Sequence, residues 1–361
     1  MRVLFFTERL APPFDEGIKN VVANLLRRLA AAHDVLALTT EGVDIPDLSV
    51  RNVPALNRLL LNAGLRHEIR AFRPERICYL PTASMTLFAF LRARVLGAHG
   101  RGAPVSMIAL QPRQQGALQR VLVSLLAPER VIVQSRSSAE RLRYLGPRVH
   151  FVPAGVDMTR FAPADDPHRC ALRRQYGIDE DARIILHAGH VNRNRNVQIL
   201  GALAELERAH VILAGSSSTR QDATLLDELR AAGVRVYASY NPHIEELYQL
   251  ADLYVFPSSP ATSPDETPAI EVPLSVLEAM ACDLPVVATR FGGLPAMFEE
   301  GEGVFYVDDP HDTAGWREKA MQGLSAGRGH TRRRAAPHSW QNLLDVALGA
   351  DTYAQTGQHD G

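Results

Sequence analysis

The chain has 361 residues, 46 % of them hydrophobic and 22 % charged, which predicts two ordinary globular domains, each large enough for its own core. No apolar run reaches the length of a membrane span, and Cys78, Cys170 and Cys282 are scattered without metal-ligand spacing, so they read as free core thiols in a reducing cytoplasm. The net charge of −1 hides an imbalance: residues 1–150 hold 21 Lys and Arg against 11 Asp and Glu, the remainder 18 against 29, which suggests that one domain faces an anionic partner.

Arg2–Thr7 reads as a short buried strand, and with the N-terminus entering it directly no signal peptide is expected. Glu8–Glu16 is a loop broken by Pro12 and Pro13. Gly17 opens a helix whose apolar face is Val21, Val22, Leu25, Leu26 and Leu29, and Val35–Thr39 completes a βαβ unit. A single glycine is no dinucleotide fingerprint, and Lys19 stands on the first turn. Strands follow at Ile77–Leu80, Val105–Leu110, Val131–Val133 and Val149–Val152, with helices around 59–71, 84–97, 114–127 and 136–145. This alternation is that of a doubly wound α/β domain, in which ligands bind beyond the carboxyl ends of the strands. The loops after Leu110 and Val133 are therefore where chemistry is expected. Residues 51–148 contain 16 arginines and four glutamates; Arg58–Arg76 and Phe88–Arg101 interleave arginine with apolar residues, as a helix on lipid headgroups would.

The second half repeats the pattern. Strand Arg183–Ala188 runs into Gly189-His190-Val191-Asn192-Arg193-Asn194-Arg195-Asn196, and Val211–Ala214 into Gly215 and three serines. Arg195 is taken as standing at a helix start, where the helix dipole disfavours a cation unless an anion accompanies it. Asp179, Glu180 and Asp181 read as solvated charges. Val234–Ala238, a helix His243–Leu250 and the strand Leu253–Phe256 precede a long loop, 257–269, expected as the floor of a pocket. Pro273 suits a helix start, Leu274, Leu277, Ala281 and Leu284 line one face, and Pro285-Val-Val-Ala reads as a strand. The free N–H groups around Leu274 and Ser275 suit an anion. Glu278, one turn in, suits a vicinal diol such as ribose, and Glu271 sits nearby. Anion plus diol describes a nucleoside diphosphate. A flexible basic segment, Gly327–Arg334, then leads to a helix Ser339–Tyr353 built on Trp340, Leu343, Leu344 and Ala347.

Residues 267–290 resemble the donor-site signature of family 4 (group 1) retaining glycosyltransferases of the GT-B fold, in which two glutamates are separated by seven residues. Glu278 matches the second, the ribose holder. The first falls on Ile270, with Glu271 one residue late. The Gly189 loop resembles the family's diphosphate grip, His190 standing for its arginine and Arg195 for its lysine, with Arg193 in reserve; Gly215 matches its second glycine loop. Pro153-Ala154-Gly155-Val156-Asp157 resembles the exit from the first domain. The histidine common after the strand 105–110 is absent: Gln111 and Arg113 stand there instead.

The resemblance implies an α/β, GT-B architecture of two Rossmann-like doubly wound domains facing a central cleft. It places an acceptor domain at 1–160, a linker at about 157–181, a nucleotide-sugar domain at 181–335, and a C-terminal helix and tail at 336–361 crossing back to the first domain. It implies a glycosyltransferase moving a sugar from a nucleoside diphosphate to a glycan, lipid-linked or small-molecule acceptor with retention. The alternatives are a catalytically weak module that binds nucleotide sugar or glycan, and a nucleotide-sugar epimerase. Catalytic roles fall on Arg195, His190 and Glu271; donor binding on Gly17, Gly189, Arg193, Gly215, Leu274, Ser275 and Glu278; the acceptor side on Lys19, Gln111 and Arg113. Neither metal nor cofactor beyond the donor is expected, nor is nucleic acid a partner. The acceptor is expected to be anionic, and the location cytoplasmic with peripheral attachment to the inner face of a membrane.

Overall fold

The computed structural model describes residues 1–54, 57–216, 221–259 and 269–350. The chain divides into two compact units, the first comprising Met1–Ala154, Ser263–Val272 and Trp340–Gly361, the second Gly155–Thr262 and Pro273–Ser339.

In the first unit, β1 (Arg2–Phe6), β3 (Asp34–Thr39), β5 (Val50–Asn52), β6 (Arg76–Tyr79), β7 (Val105–Ala109), β8 (Arg130–Val133) and β9 (Val149–Phe151) form a seven-stranded parallel sheet. Its order is β5-β3-β1-β6-β7-β8-β9, and the short β2 (Arg9–Leu10) and β4 (Glu41–Gly42) pair separately. Helices cover both faces of a parallel sheet, so its strands are runs of buried apolar residues; β7 is buried at every position. Helix α1 (Gly17–Ala32) buries Val21, Val22, Leu25, Leu26 and Leu29, as the spacing predicts.

Helix α2 (Ala63–Phe72) starts later than expected, because Leu60 takes a left-handed conformation (φ 62°) and the Asn62 side chain caps the Leu65 N–H at 2.9 Å. Helices α3 (Leu87–His99), α4 (Ala117–Leu126) and α5 (Arg136–Arg141) follow, the last continued by a 3₁₀ turn, Arg143–Arg148. The lipid-facing reading of Arg58–Arg76 and Phe88–Arg101 is corrected by burial: Leu65, Ile69, Phe90, Ala93 and Leu96 face the core, so most of the interleaved apolar residues are turned inward, Phe88 on α3 being exposed.

The second unit opens with α6 (Asp166–Gln175), inside the stretch 157–181 expected to be a linker. It is no linker, because buried Arg173 pairs with Asp252 at 2.8 Å and anchors α6 to the sheet. That sheet has six parallel strands, β10 (Arg183–Gly189), β11 (Ala209–Gly215), β12 (Arg235–Tyr237), β13 (Leu253–Phe256), β14 (Val286–Thr289) and β15 (Val304–Val307), ordered β12-β11-β10-β13-β14-β15. The intervening helices are α7 (Ile199–Leu203), α8 (Ala223–Ala231), α9 (Ile244–Leu250), α10 (Leu274–Ala281), α11 (Leu294–Met297), α12 (Thr313–Ala326) and α13 (Arg332–Ala335).

The segment Gly327–Arg334, expected to be flexible, is pinned by its arginines. Arg328 donates to the Tyr248 carbonyl at 3.2 Å, and Arg332 donates to those of Phe161 and Met158 at 2.9 Å each.

Helix α14 (Trp340–Leu348) returns to the first unit and packs on α1, β6, β7 and β8. Ser106 donates to the Ala347 carbonyl at 2.7 Å, and Arg130 donates to those of Gly349 and Ala350 at 3.0 and 2.8 Å. The expected extension of this helix to Tyr353 lies outside the described residues.

Candidate functional site

In the second unit the strand order reverses between β10 and β13, and the crevice beyond the carboxyl ends of such a pair is where open α/β sheets bind ligands. The Gly189 loop leaves β10 there, and α10 starts in the connection after β13. Tyr254, on β13, ties the two. Its hydroxyl donates to the Ala188 carbonyl at 3.1 Å and is also hydrogen-bonded to the Ser275 side chain. Pro273 caps α10 without a side-chain acceptor, so the N–H groups of Leu274 and Ser275 open the helix with no side-chain cap. Gly189 and Gly215 are register partners at the strand ends. A Cβ on Gly215 would press on Gln221 Nε2 at 3.1 Å and Val191 Cγ2 at 3.2 Å, so this strand end is tightly packed.

Glu278 lies one turn into α10, half-buried, and its Oε2 accepts from the Tyr248 hydroxyl at 3.0 Å. Burial first, and the Glu278 charge second, push the Tyr248 pKa well above its ordinary value, so Tyr248 stays a donor and fixes the carboxylate. His187, on β10, bonds the Val255 carbonyl through Nδ1 at 2.9 Å, while its buried Nε2 has no partner among the described residues. Burial lowers its pKa to about 4, and the neighbouring charges of His190 and Arg195 push the same way. Three expected donor-site positions, Gly189, His190 and Arg195, are thus gathered around a neutral imidazole.

Two details differ from expectation. Arg195 ends a three-residue 3₁₀ turn, Arg193–Arg195, and Asn196 is left-handed (φ 54°), so no helix starts at Arg195 and the dipole argument for it lapses. Arg193, expected as a reserve phosphate ligand, turns to α8 and pairs with Glu228 at 2.6 Å and Asp222 at 3.6 Å. The loop 260–268, most of the expected pocket floor, and the serines after Ser216 lie outside the described residues.

In the first unit the sheet reverses between β1 and β6, but that crevice is filled. The buried Glu8 carboxylate accepts from the Tyr79 hydroxyl, from the Thr82 N–H at 2.8 Å and from Arg92 at 2.9 Å. The polar groups of interest cluster beyond β7 and β8. Glu271 hangs its backbone N–H on the Leu110 carbonyl at 3.0 Å and accepts from Ser135 (2.5 Å) and Ser138 (2.7 Å) with Oε1. Its Oε2 is buried without a partner among the described residues. Burial raises its pKa and the two serines pull it back. Ile270, where the resemblance puts the first glutamate, packs on Gly17, and a Cβ at Gly17 would meet Ile270 Cδ1 at 2.6 Å. Gly17 is a close-approach glycine for Ile270 in this unit.

Gln111 is buried, with its Oε1 accepting from the Ser84 N–H at 3.4 Å, and so buttresses a turn. Arg113 and Lys19 are half-exposed. Sequence reasoning passed over Gln134, which directly follows β8 and is 1 % exposed; neither its Oε1 nor its Nε2 has a partner among the described residues. An unpartnered buried amide is costly unless a ligand or water completes it, and spacing gives no sign of it. Tyr248, Tyr254 and His187 were missed for a related reason: their partners come from other elements, Glu278 on α10, Ala188 on β10 and Val255 on β13.

Residues 16–160 match the model for glycosyltransferase family 4, and residues 182–325 that for glycosyl transferases group 1. The D-inositol 3-phosphate glycosyltransferases of Geodermatophilus obscurus and Xylanimonas cellulosilytica are both 32 % identical, over 57 % and 68 % of this chain and 48 % and 61 % of their own lengths. The chain thus spans about half to three fifths of these curated relatives. Anabaena HepE in complex with UDP superposes with a TM-score of 0.74 at 16 % identity, covering 97 % of this chain and all of that one. Sucrose-phosphate synthase from Thermosynechococcus elongatus gives 0.71 at 17 %, with 96 % of each chain covered. At such identities the likeness carries the fold, which is GT-B with two Rossmann-like domains. By the two family models and the fold together, the chain belongs to the group 1, family 4 glycosyltransferases.

Proposed function

We propose that the protein transfers a sugar from a nucleoside diphosphate to an acceptor, with retention at the anomeric carbon. The observation that carries this reading is the second unit's switch point. There Tyr254 holds the Gly189 loop against the uncapped start of α10, with Glu278 fixed one turn away by Tyr248. Amide donors would hold the diphosphate and Glu278 the ribose. As the glycosidic bond breaks, negative charge grows on the leaving diphosphate, where the first-turn amides, Arg195 and His190 would stabilise it. His187, held neutral, leaves the cationic work to them. The solved structures of HepE carry UDP and UDP-glucose, which makes uridine donors the first to test.

The acceptor in this proposal is anionic, met by the arginine-rich first unit; the relatives named for inositol 3-phosphate supply one example of such chemistry. Location belongs to the same proposal: cytoplasmic, on the inner face of a membrane. Among the described residues no helix is long and apolar enough to cross one. A second reading, binding without turnover, is favoured by Ile270 at the first-glutamate position and by the burial of Glu271.

The deciding experiment incubates the protein with UDP-glucose, UDP-galactose and GDP-mannose and anionic polyol acceptors. Free nucleotide together with a glycosylated product supports transfer. Tight nucleotide binding with neither product supports the second reading, and no nucleotide binding at all sinks both.

A further inference from the structure

Large apolar side chains exposed singly on a protein surface are ordinary, but a stripe of them on one helix is not. On α4, Leu118 is 76 % exposed, Val121 59 %, Leu122 37 % and Leu125 73 %. Steps of three and four residues put all four on one side of the helix, while Val123 alone is fully buried on the other. The helix is therefore apolar toward solvent. Phe88, 46 % exposed on the first turn of the neighbouring α3, adds to the same region, since Gln115 just before α4 donates to the Met85 carbonyl at 2.9 Å.

Along the segment that carries the stripe the charge has one sign. Residues 113–128 contain no acid. Arg120 lies over the Tyr144 ring at 6.0 Å, and Arg148 donates to the Ser124 and Ala127 carbonyls, so both guanidiniums are held at the edges of α4 and exposed. The nearest acids along the chain are spoken for, Glu129 by Arg76 at 2.8 Å and Glu140 by Arg143 at 2.7 Å.

We propose that the outer stripe of α4, rimmed by Arg120 and Arg148, docks the first unit on an anionic lipid bilayer. From Leu118 to Leu125 the helix rises about 10 Å, too short to span a bilayer and suited to lying in its interface with the leucines in the acyl boundary. A second copy fits worse: a two-fold contact through this stripe would bring the same arginines face to face, with no acid in the segment to meet them. The inference gives a physical carrier to the membrane location proposed above, but it stands on α4 alone and does not depend on the sugar-transfer reading.

The test is co-sedimentation of the full chain with vesicles of phosphatidylcholine alone and mixed with phosphatidylglycerol, at low and high salt. Binding to the mixed vesicles that weakens with salt is expected. The double variant Leu118→Gln/Leu125→Gln should lower affinity at least about tenfold, since each buried methylene counts, and Arg120→Ala or Arg148→Ala roughly fivefold each. All four side chains are solvent-exposed, so the variants should keep the wild-type circular dichroism and melting midpoint. A Val121→Trp reporter should shift its fluorescence to the blue on adding mixed vesicles. Failure to bind mixed vesicles at low salt overturns the proposal, as does binding that the double leucine variant leaves intact. A wild-type dimer that this variant turns into a monomer, with no vesicle binding, would make the stripe a self-interface and equally overturn it. Nucleotide affinity, measured in parallel, separates failure here from failure of the transfer reading.

Discussion

Glu278→Gln keeps the shape of the side chain and the Tyr248 contact but removes the charge that a ribose diol would bond. A hydrogen bond to a charged group contributes about 1.5–3 kcal/mol, so donor affinity should fall roughly ten- to a hundredfold, read by titration calorimetry on a folded variant. Unchanged affinity would remove Glu278 from the ribose. Gln134→Leu separates two roles for the orphaned amide. If it awaits a ligand, the apolar replacement relieves buried unpartnered atoms, and the melting midpoint should stay level or rise while turnover drops. A lower midpoint with full activity would make Gln134 structural. What was legible at this scale was what the chain carries locally: Glu278 and the Leu274–Ser275 amides stand within five residues of one another, and Gly189 closes its own strand. Tyr254, His187 and Gln134 were illegible because a strand end means little until the neighbouring strand is known. The role of Ile270 against Gly17 joins positions far apart in sequence, and no spacing rule reaches it.

Among the elements, α6 shows most clearly what periodicity misses. Its ten residues, Asp-Pro-His-Arg-Cys-Ala-Leu-Arg-Arg-Gln, offer one large buried apolar side chain, Leu172, and its anchor is instead a buried arginine. Asp252 accepts from Arg173 at 2.8 Å, from Arg169 at 2.5 Å and from the Ile184 N–H at 2.8 Å, stapling α6 to the starts of β10 and β13. Asp252→Ala would strand the Arg173 guanidinium in the interior, which costs about 3–5 kcal/mol. A matching fall in the urea midpoint of the second unit is expected, and a change under 1 kcal/mol would demote the staple to surface decoration. A groove of about 540 Å³ lies here, lined in part by Arg169, Arg173, Arg183 and Arg328, yet it sits at the amino ends of the strands and its charges are largely satisfied by one another. The two edges of this sheet divide the labour: the amino ends hold the unit together, and the carboxyl ends carry the candidate chemistry. The strongly apolar strands and α1 were legible because burial wrote them into the composition.

At the scale of the molecule, acid should unfold the second unit before it damages any single contact. Burial lowers the pKa of both His187 and His338 to about 4. An unfolded histidine takes its proton near pH 6.5, which the folded protein refuses until about pH 4, so stability is whole above pH 6.5 and drains away as pH falls through that window. Each histidine contributes a slope of about 1.4 kcal/mol per pH unit there. Melting scans from pH 7 to pH 4 should show the fall, and His187→Gln with His338→Gln should flatten it; an equally steep fall in the double variant would assign it to other groups. The halves also differ in charge, a feature legible in the sequence, whereas the outward apolar stripe of α4 was not. Its leucines have helical spacing whichever way they face, and only the packed unit shows which way that is.

The return of α14 sets a timetable for synthesis. Ser106 waits 241 residues for the Ala347 carbonyl that satisfies it, and the face of β6, β7 and β8 that α14 covers stays open meanwhile. At about 5–20 residues per second the delay is on the order of 10–50 s. The half that leaves the ribosome first is therefore the half that is sealed last. Chains stalled with Ser339 just outside the exit tunnel should yield to protease in the first unit and resist in the second.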